Sequence, residues 1–183
     1  MINLITGLPN AILSANGEPI FLNTDYRVWI RFWKDIQKDD EDRDISYLFK
    51  DEPPMIDNYI LEQLMQFLYN PSSTPKSDNT ESEKVLDYIE DGEYIYSALY
   101  ATYGIDIVDM NLHWHKFLAL CNNVIGESTL WGLAKAVRGY HKPARNYNEH
   151  RRYTQLKDAW SFPIELTEEE KRLKQEFDDY FDV

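Results

Sequence analysis

Large aromatic and aliphatic side chains recur in this chain at three- and four-residue steps. The pattern is clearest after Asn23, where Tyr26, Trp29, Trp33 and Ile36 would fall on one side of a helix. Aromatic residues make up 14% of the 183 residues, and each buried ring covers on the order of 150–250 Å². Most of these rings must lie in a core, so we do not expect the whole chain to be disordered.

The same spacing predicts further helices over about 57–69, 93–103, 112–122, 128–139 and 148–159. Thr24 and Ser128 are the expected N-caps of two helices, and Gly104 is expected to end the third in a left-handed conformation. Ser46 to Lys50 is expected to add one helical turn.

A hairpin is predicted near the N-terminus. The segments 11–15 and 18–22 flank Asn16 and Gly17, the pair that best tolerates a two-residue type I′ turn. Pro19 cannot donate to a ladder, so the strands should be short. The expected fold class is therefore mainly α: a compact helical domain of about six to seven helices with a short N-terminal β-hairpin.

The predicted domain organisation is one helical domain over residues 1–163, followed by an acidic C-terminal helix or extension over 164–183. A capping box at 167–170 is the start signal for that last helix. Residues 70–84 contain no aliphatic or aromatic side chain and several prolines and serines, so we expect a flexible loop inside the domain.

Signals for export and membrane insertion are missing from the sequence. The first ten residues have no positive region and no long apolar run, and nowhere do about 18 apolar residues follow one another. Cys121 is the only cysteine, which excludes an intramolecular disulfide and agrees with a reducing compartment. We expect no membrane association.

Charge is unevenly distributed along the chain, whose net charge is −13. Residues 135–157, called the basic segment below, hold seven bases against one acid, giving +6. Nucleic-acid phosphates, with tyrosines as stacking partners, are one possible target, but the net charge disfavours them. The other readings are pairing with an acidic face of this chain or another copy, such as 168–182, an acidic protein partner, or a solvated face without a role. The candidate partner-binding residues are Arg138, Lys142, Arg145, Arg151, Arg152, Tyr140 and Tyr147.

Catalytic and metal-binding patterns are weak. His113 and His115 would point about 200° apart on a helix, and no second cysteine is present to complete a zinc site. Cys121 lies in an apolar run without a nearby base, which indicates a buried structural thiol. No glycine-rich phosphate loop or nucleophile elbow occurs. We expect no enzyme activity, no metal and no cofactor.

Several motifs together resemble the bacteriophage gp-fifteen family, tail-region proteins of long-tailed phages and prophages of Gram-positive bacteria. The resemblance is carried by the segments 23–29, 49–54, 91–98, 103–106, 112–120 and 153–163. This sequence departs from the family pattern at His115, where the family usually has Trp, and at His141, where it usually has Arg. The resemblance ends at about Pro163.

The resemblance implies a protein without enzymatic activity whose gene lies just before the tape-measure gene. That place is held by tail assembly chaperones in other long-tailed phages. The implied function is binding of the tape-measure protein and tail-tube subunits in the host bacterial cytoplasm, with self-association and absence from the mature virion. The alternative is an acidic, phage-encoded nucleic-acid mimic that inhibits a host defence or DNA-binding protein, which the net charge of −13 favours.

Overall fold

The computed structural model describes residues 5–38, 43–69, 84–126, 128–140 and 147–163, together with Arg172, Leu173 and Phe177. The chain divides into two compact units, an N-terminal unit of residues 1–139 and a C-terminal unit of residues 140–183. The predicted loop lies outside the described residues apart from Lys84, as does most of the predicted C-terminal helix. The predicted limits of the helical domain stay a prediction.

Six α-helices and a two-stranded antiparallel sheet form the described part of the chain, so the prediction of a mainly α fold with an N-terminal hairpin is confirmed. A single 3₁₀ turn, Ser46–Leu48, matches the helical turn expected after residue 45. The elements in chain order are β1 Ala11–Leu13, β2 Pro19–Phe21, α1 Tyr26–Asp35, α2 Asn58–Tyr69, α3 Gly92–Tyr103, α4 Trp114–Val124, α5 Leu130–Arg138 and α6 Tyr147–Trp160.

The hairpin forms where it was predicted, but its turn differs. Ser14 N–H donates to Glu18 O, and Gly17 N–H donates to Ser14 O, both at 2.9 Å. The loop therefore has three residues and a left-handed Gly17 (φ +81°), rather than a two-residue type I′ turn. In this register Ile12 lies opposite Ile20. Pro19 takes a position whose N–H the ladder does not use, so its missing donor costs no hydrogen bond.

The starts of α1 and α4 are joined by an isolated antiparallel bridge between Asp25 and His113. Tyr26 N–H donates to Leu112 O at 2.9 Å, and Trp114 N–H donates to Thr24 O at 2.8 Å. Thr24 thus contributes its carbonyl, while Asp25 is the N-cap and accepts from the backbone N–H of Arg27. The prediction of Thr24 as N-cap was wrong by one residue.

Aromatic rings pack against one another in the core of the N-terminal unit. Tyr26 stacks on Phe117 with ring centroids 4.8 Å apart, and Trp29 packs on Phe67 at 4.4 Å. The indole of Trp114 is buried and donates to Leu68 O at 2.9 Å. Large buried rings contribute strongly to stability, and the buried indole N–H of Trp114 also has its hydrogen-bond partner.

Two smaller predictions about side chains were tested in this unit. Cys121 is buried, as expected, and burial raises the pKa of its thiol. At the start of α5 the N-cap is Thr129 and not Ser128, because Thr129 Oγ1 accepts from Gly132 N–H at 3.0 Å.

Gly132 lies where α5 touches the turn that precedes it. A Cβ at this position would lie 2.8 Å from the carbonyl oxygen of Ile125 and closer still to that of Gly126. Only glycine lets the two backbones approach this closely. By contrast, a Cβ at Gly92, the first residue of α3, would meet nothing within 4 Å.

We predict opposite effects for two glycine-to-alanine substitutions. Gly132→Ala should lower the free energy of unfolding by about 1–3 kcal/mol or more, because backbone atoms must move to admit the methyl group. Gly92→Ala should leave it unchanged or raise it by up to about 1 kcal/mol, because alanine restricts the unfolded chain. Urea unfolding followed by circular dichroism tests both. Equal stability of the two variants would contradict the close approach at Gly132.

Candidate partner-binding site

The residues predicted to bind a partner fall in different parts of the molecule. Arg138 belongs to the N-terminal unit, and Tyr140, Tyr147, Arg151 and Arg152 belong to the C-terminal unit. Lys142 and Arg145 lie outside the described residues. Partner binding by the basic segment therefore stays a prediction.

Within the C-terminal unit, Tyr140 stacks face to face on Tyr153, with ring centroids 3.8 Å apart and planes 4° from parallel. Tyr147 begins α6 and is 76% exposed. Arg151 and Arg152 are also exposed on α6. These last three side chains are presented to solvent and can contact a partner.

Arg138, one of the candidate partner-binding residues, is buried. Its Nη1 lies 2.8 and 2.9 Å from the two carboxylate oxygens of Asp91, at the start of α3. The indole N–H of Trp131 also donates to Asp91, at 3.3 Å. The Arg138 guanidinium therefore joins α5 to α3 as a structural ion pair.

A second buried carboxylate lies one turn before Asp91. Asp87 contacts the Lys84 ammonium at 2.5 Å and accepts from the backbone N–H groups of Ile89 and Glu90. Burial opposes ionisation of Asp87, but these donors outweigh it and hold the pKa of the carboxyl below its usual value. Two acids are thus matched by two bases, an arrangement that explains their burial without a catalytic role.

His113 and His115 are held by backbone groups. His113 Nδ1 accepts from the backbone N–H of His115 at 3.0 Å, so the proton sits on Nε2, which donates to Pro9 O at 2.9 Å. His115 Nε2 donates to Phe67 O at 2.8 Å, and its buried Nδ1 has no hydrogen-bond partner in the described part of the chain. Both rings fit their surroundings as neutral imidazoles. Burial lowers the pKa of His113 and lowers that of His115 to about 4.

A metal site in a protein needs more ligands than these two histidine rings. Among the residues that the structure describes, no group of three or more His, Cys, Asp or Glu side chains is placed to hold a metal ion.

An apolar groove between α1 and α2 was not predicted from the sequence. Its volume is about 480 Å³, and it lies wholly in the N-terminal unit. Ile56 and Leu61 on its lining are 37% and 40% exposed, and the adjacent Met55 is 91% exposed. The groove is lined by Phe32, Ile36, Arg43, Ile45, Ile56, Leu61 and Met65.

One sequence signal for the groove existed. Within the helix predicted over about 57–69, the sequence has Leu61 beside Ile60, Leu64 and Phe67, and these four apolar residues cover an arc wider than one packing surface needs. The core buries Ile60, Leu64 and Phe67 and leaves Leu61 at the edge. A groove of about this size is typical of surfaces that accept apolar side chains of a ligand or partner.

The fold and this groove define a small, mainly helical protein with an apolar surface suited to binding. None of the helices in the described ranges is long and apolar enough to cross a membrane. The family described as Bacteriophage Gp15 protein matches residues 8–162, and the chain belongs to that family. It is therefore a phage protein, as the sequence motifs predicted. Comparisons with curated proteins and with solved structures gave no match.

We predict that breaking the Asp91–Arg138 pair is costly. Arg138→Met should lower the free energy of unfolding by about 3–5 kcal/mol, because it leaves a buried carboxylate without its counter-charge. Adding Asp91→Asn to this variant should recover part of the loss. Arg151→Met, on the exposed α6, is the matched control and should change stability by about 0.5 kcal/mol or less. Additive losses in the double variant would contradict a direct pair.

We predict that His115 makes the fold sensitive to acid. Its pKa is lower in the folded chain than its ordinary value of about 6.5, so the unfolded chain binds the extra proton and stability falls as pH drops from 6.5 towards 4. The loss is at most about 1.4 kcal/mol per pH unit for this one proton. His115→Gln keeps a donor for Phe67 O but does not titrate. The urea midpoints of the wild-type protein and of His115→Gln should therefore approach each other as pH falls. If the two curves of midpoint against pH stay parallel, His115 is not the group that makes the fold sensitive to acid.

Proposed function

We propose that this phage protein is a non-catalytic tail assembly chaperone that binds the tape-measure protein and tail-tube subunits during tail morphogenesis. It would act in the host bacterial cytoplasm and be absent from the mature virion. The observation that carries the proposal is the apolar groove between α1 and α2. A tape-measure protein is a long helix with exposed apolar stripes, and such a stripe is the kind of ligand that an apolar groove accepts.

The lining of the groove suits a partner with many similar binding positions. Phe32 and Ile45 are buried and form a fixed floor, whereas Met65 is only partly buried. Methionine is flexible and adapts to side chains of different shapes. A chaperone that covers a long helix has to accept many different apolar side chains, and this combination of fixed floor and adaptable wall permits that.

The C-terminal unit offers a separate surface for the remaining partners. Tyr147, Arg151 and Arg152 are exposed on α6. Tyrosine and arginine are enriched where protein partners bind, and the two positive charges complement the acidic remainder of the chain. We propose this surface for self-association or for tail-tube subunits.

Co-expression with the tape-measure protein of the same phage genome tests the proposal. The wild-type protein should form a complex and increase the soluble yield of the tape-measure protein. Leu61→Glu places a charge at the groove and should weaken the complex at least tenfold. The matched control is Leu133→Glu, because Leu133 on α5 is 43% exposed and Leu61 is 40% exposed, and the control should bind normally.

Failure of the wild-type protein to bind or solubilise the tape-measure protein would overturn the proposal. Deleting the gene should yield particles without tails, so normal tails would overturn the proposal as well. Equal losses in the two leucine variants would place the binding surface away from the groove.

The alternative is an acidic inhibitor that mimics nucleic acid and blocks a host defence or DNA-binding protein. The net charge of −13 favours it. Two of the acids, Asp87 and Asp91, are buried and paired within the fold and so cannot be displayed to such a target. Salt-sensitive capture of a host nuclease, unaffected by Leu61→Glu, would support the alternative.

A further inference from the structure

Arg43 is the charged residue among the described side chains that line the apolar groove. Its Nη2 donates to the carbonyl oxygen of Lys38, just beyond the end of α1. Its Nε is buried and has no hydrogen-bond partner among the described residues. The groove is thus lined by a cationic group that the Lys38 carbonyl holds in place.

A guanidinium that loses its water costs free energy unless a hydrogen-bonded counter-charge replaces that water. The described acids that are nearest along the chain are engaged elsewhere. Asp35 accepts from the Tyr47 hydroxyl at 2.7 Å, and Asp44 accepts from the backbone N–H of Ser46 at 2.9 Å. Apolar side chains that enter the groove would remove water from Arg43 without replacing its hydrogen bonds.

We propose that Arg43 selects the helix that binds in the groove by pairing with a carboxylate beside the apolar stripe of that helix. This inference rests on the proposed function and names the chemistry of the partner. The carboxylate would lie three or four residues from the apolar side chain that fills the groove, because residues at that spacing lie on the same helix face. The guanidinium fork, of which Lys38 O occupies only part, matches a carboxylate in geometry.

The pairing would also exclude wrong partners. A helix with an amide beside its stripe would satisfy the donor but not the charge, and a helix with lysine there would be repelled. Within the tape-measure protein, the groove would therefore prefer stripes flanked by Glu or Asp. Apolar contact would supply the attraction, and pairing with Arg43 would determine which part of the helix lies in the groove.

Binding of two synthetic helical peptides to the full chain tests the inference. Both carry the same leucine stripe at positions i, i+3, i+4 and i+7, and they differ only in a Glu or a Gln beside the stripe. Calorimetry should show that the wild-type protein binds the Glu peptide about tenfold tighter than the Gln peptide. Arg43→Met keeps an apolar stem but has no donor, so it should bind the two peptides equally.

Two further variants keep the result interpretable. Leu61→Glu should weaken both peptides, which places them in the groove. Arg43→Lys keeps the charge but not the planar fork, so it should retain part of the preference for Glu and shows whether the fork matters. Thermal unfolding of each variant checks that it is folded. Should Arg43→Met fail to fold, the wild-type protein and Arg43→Lys still decide the question.

Equal affinity of the wild-type protein for both peptides would overturn the inference and leave groove binding intact. A preference for Glu that persists in Arg43→Met would overturn it as well. Binding of neither peptide would also overturn it, whereas the co-expression experiment decides the proposed function separately.

Discussion

The backbone bridge between Asp25 and His113 is the contact on which the rest of the N-terminal unit depends. The first N–H groups of a helix have no partner inside the helix, and here Tyr26 and Trp114 each donate to the strand that leads into the other helix. Asp25 and His113 then cap the same two helices with their side chains. The starts of α1 and α4 are thereby fixed together, and the ring of Phe117 is held on that of Tyr26.

Among the described residues of this unit most buried polar side-chain atoms have a partner, which gives weight to the two buried side-chain nitrogens that have none. Asp91 has Arg138, and Asp87 has Lys84. The exceptions differ in their surroundings. His115 Nδ1 lies in the core, where an unused acceptor on a neutral ring is tolerated at neutral pH. The Arg43 guanidinium lines an open groove, where a partner can supply a counter-charge.

The sequence was sufficient to predict the helices and the hairpin, because local spacing determines which face of each element is apolar. It was insufficient for the caps, since Thr24 and Asp25 are both good N-caps and the bridge to His113 decides between them. The same limit applies to the site. A count of charges placed Arg138 among the candidate partner-binding residues, but the structure pairs it with Asp91, which comes from a distant part of the chain. The groove could not be predicted either, because it depends on which edge of α2 remains uncovered after the helices pack.

The size of the groove limits how strongly one copy of the proposed chaperone could bind its helix. A volume of about 480 Å³ admits only a few side chains, so one copy would hold its helix weakly. Because buried residues such as Phe32 and Ile45 already fix the floor, little ordering is needed on binding, and the association can be fast and reversible. Copies that self-associate, as proposed above, would combine many weak contacts along one long helix into firm overall binding. Each copy remains easy to displace, which is what release from a growing tail tube requires.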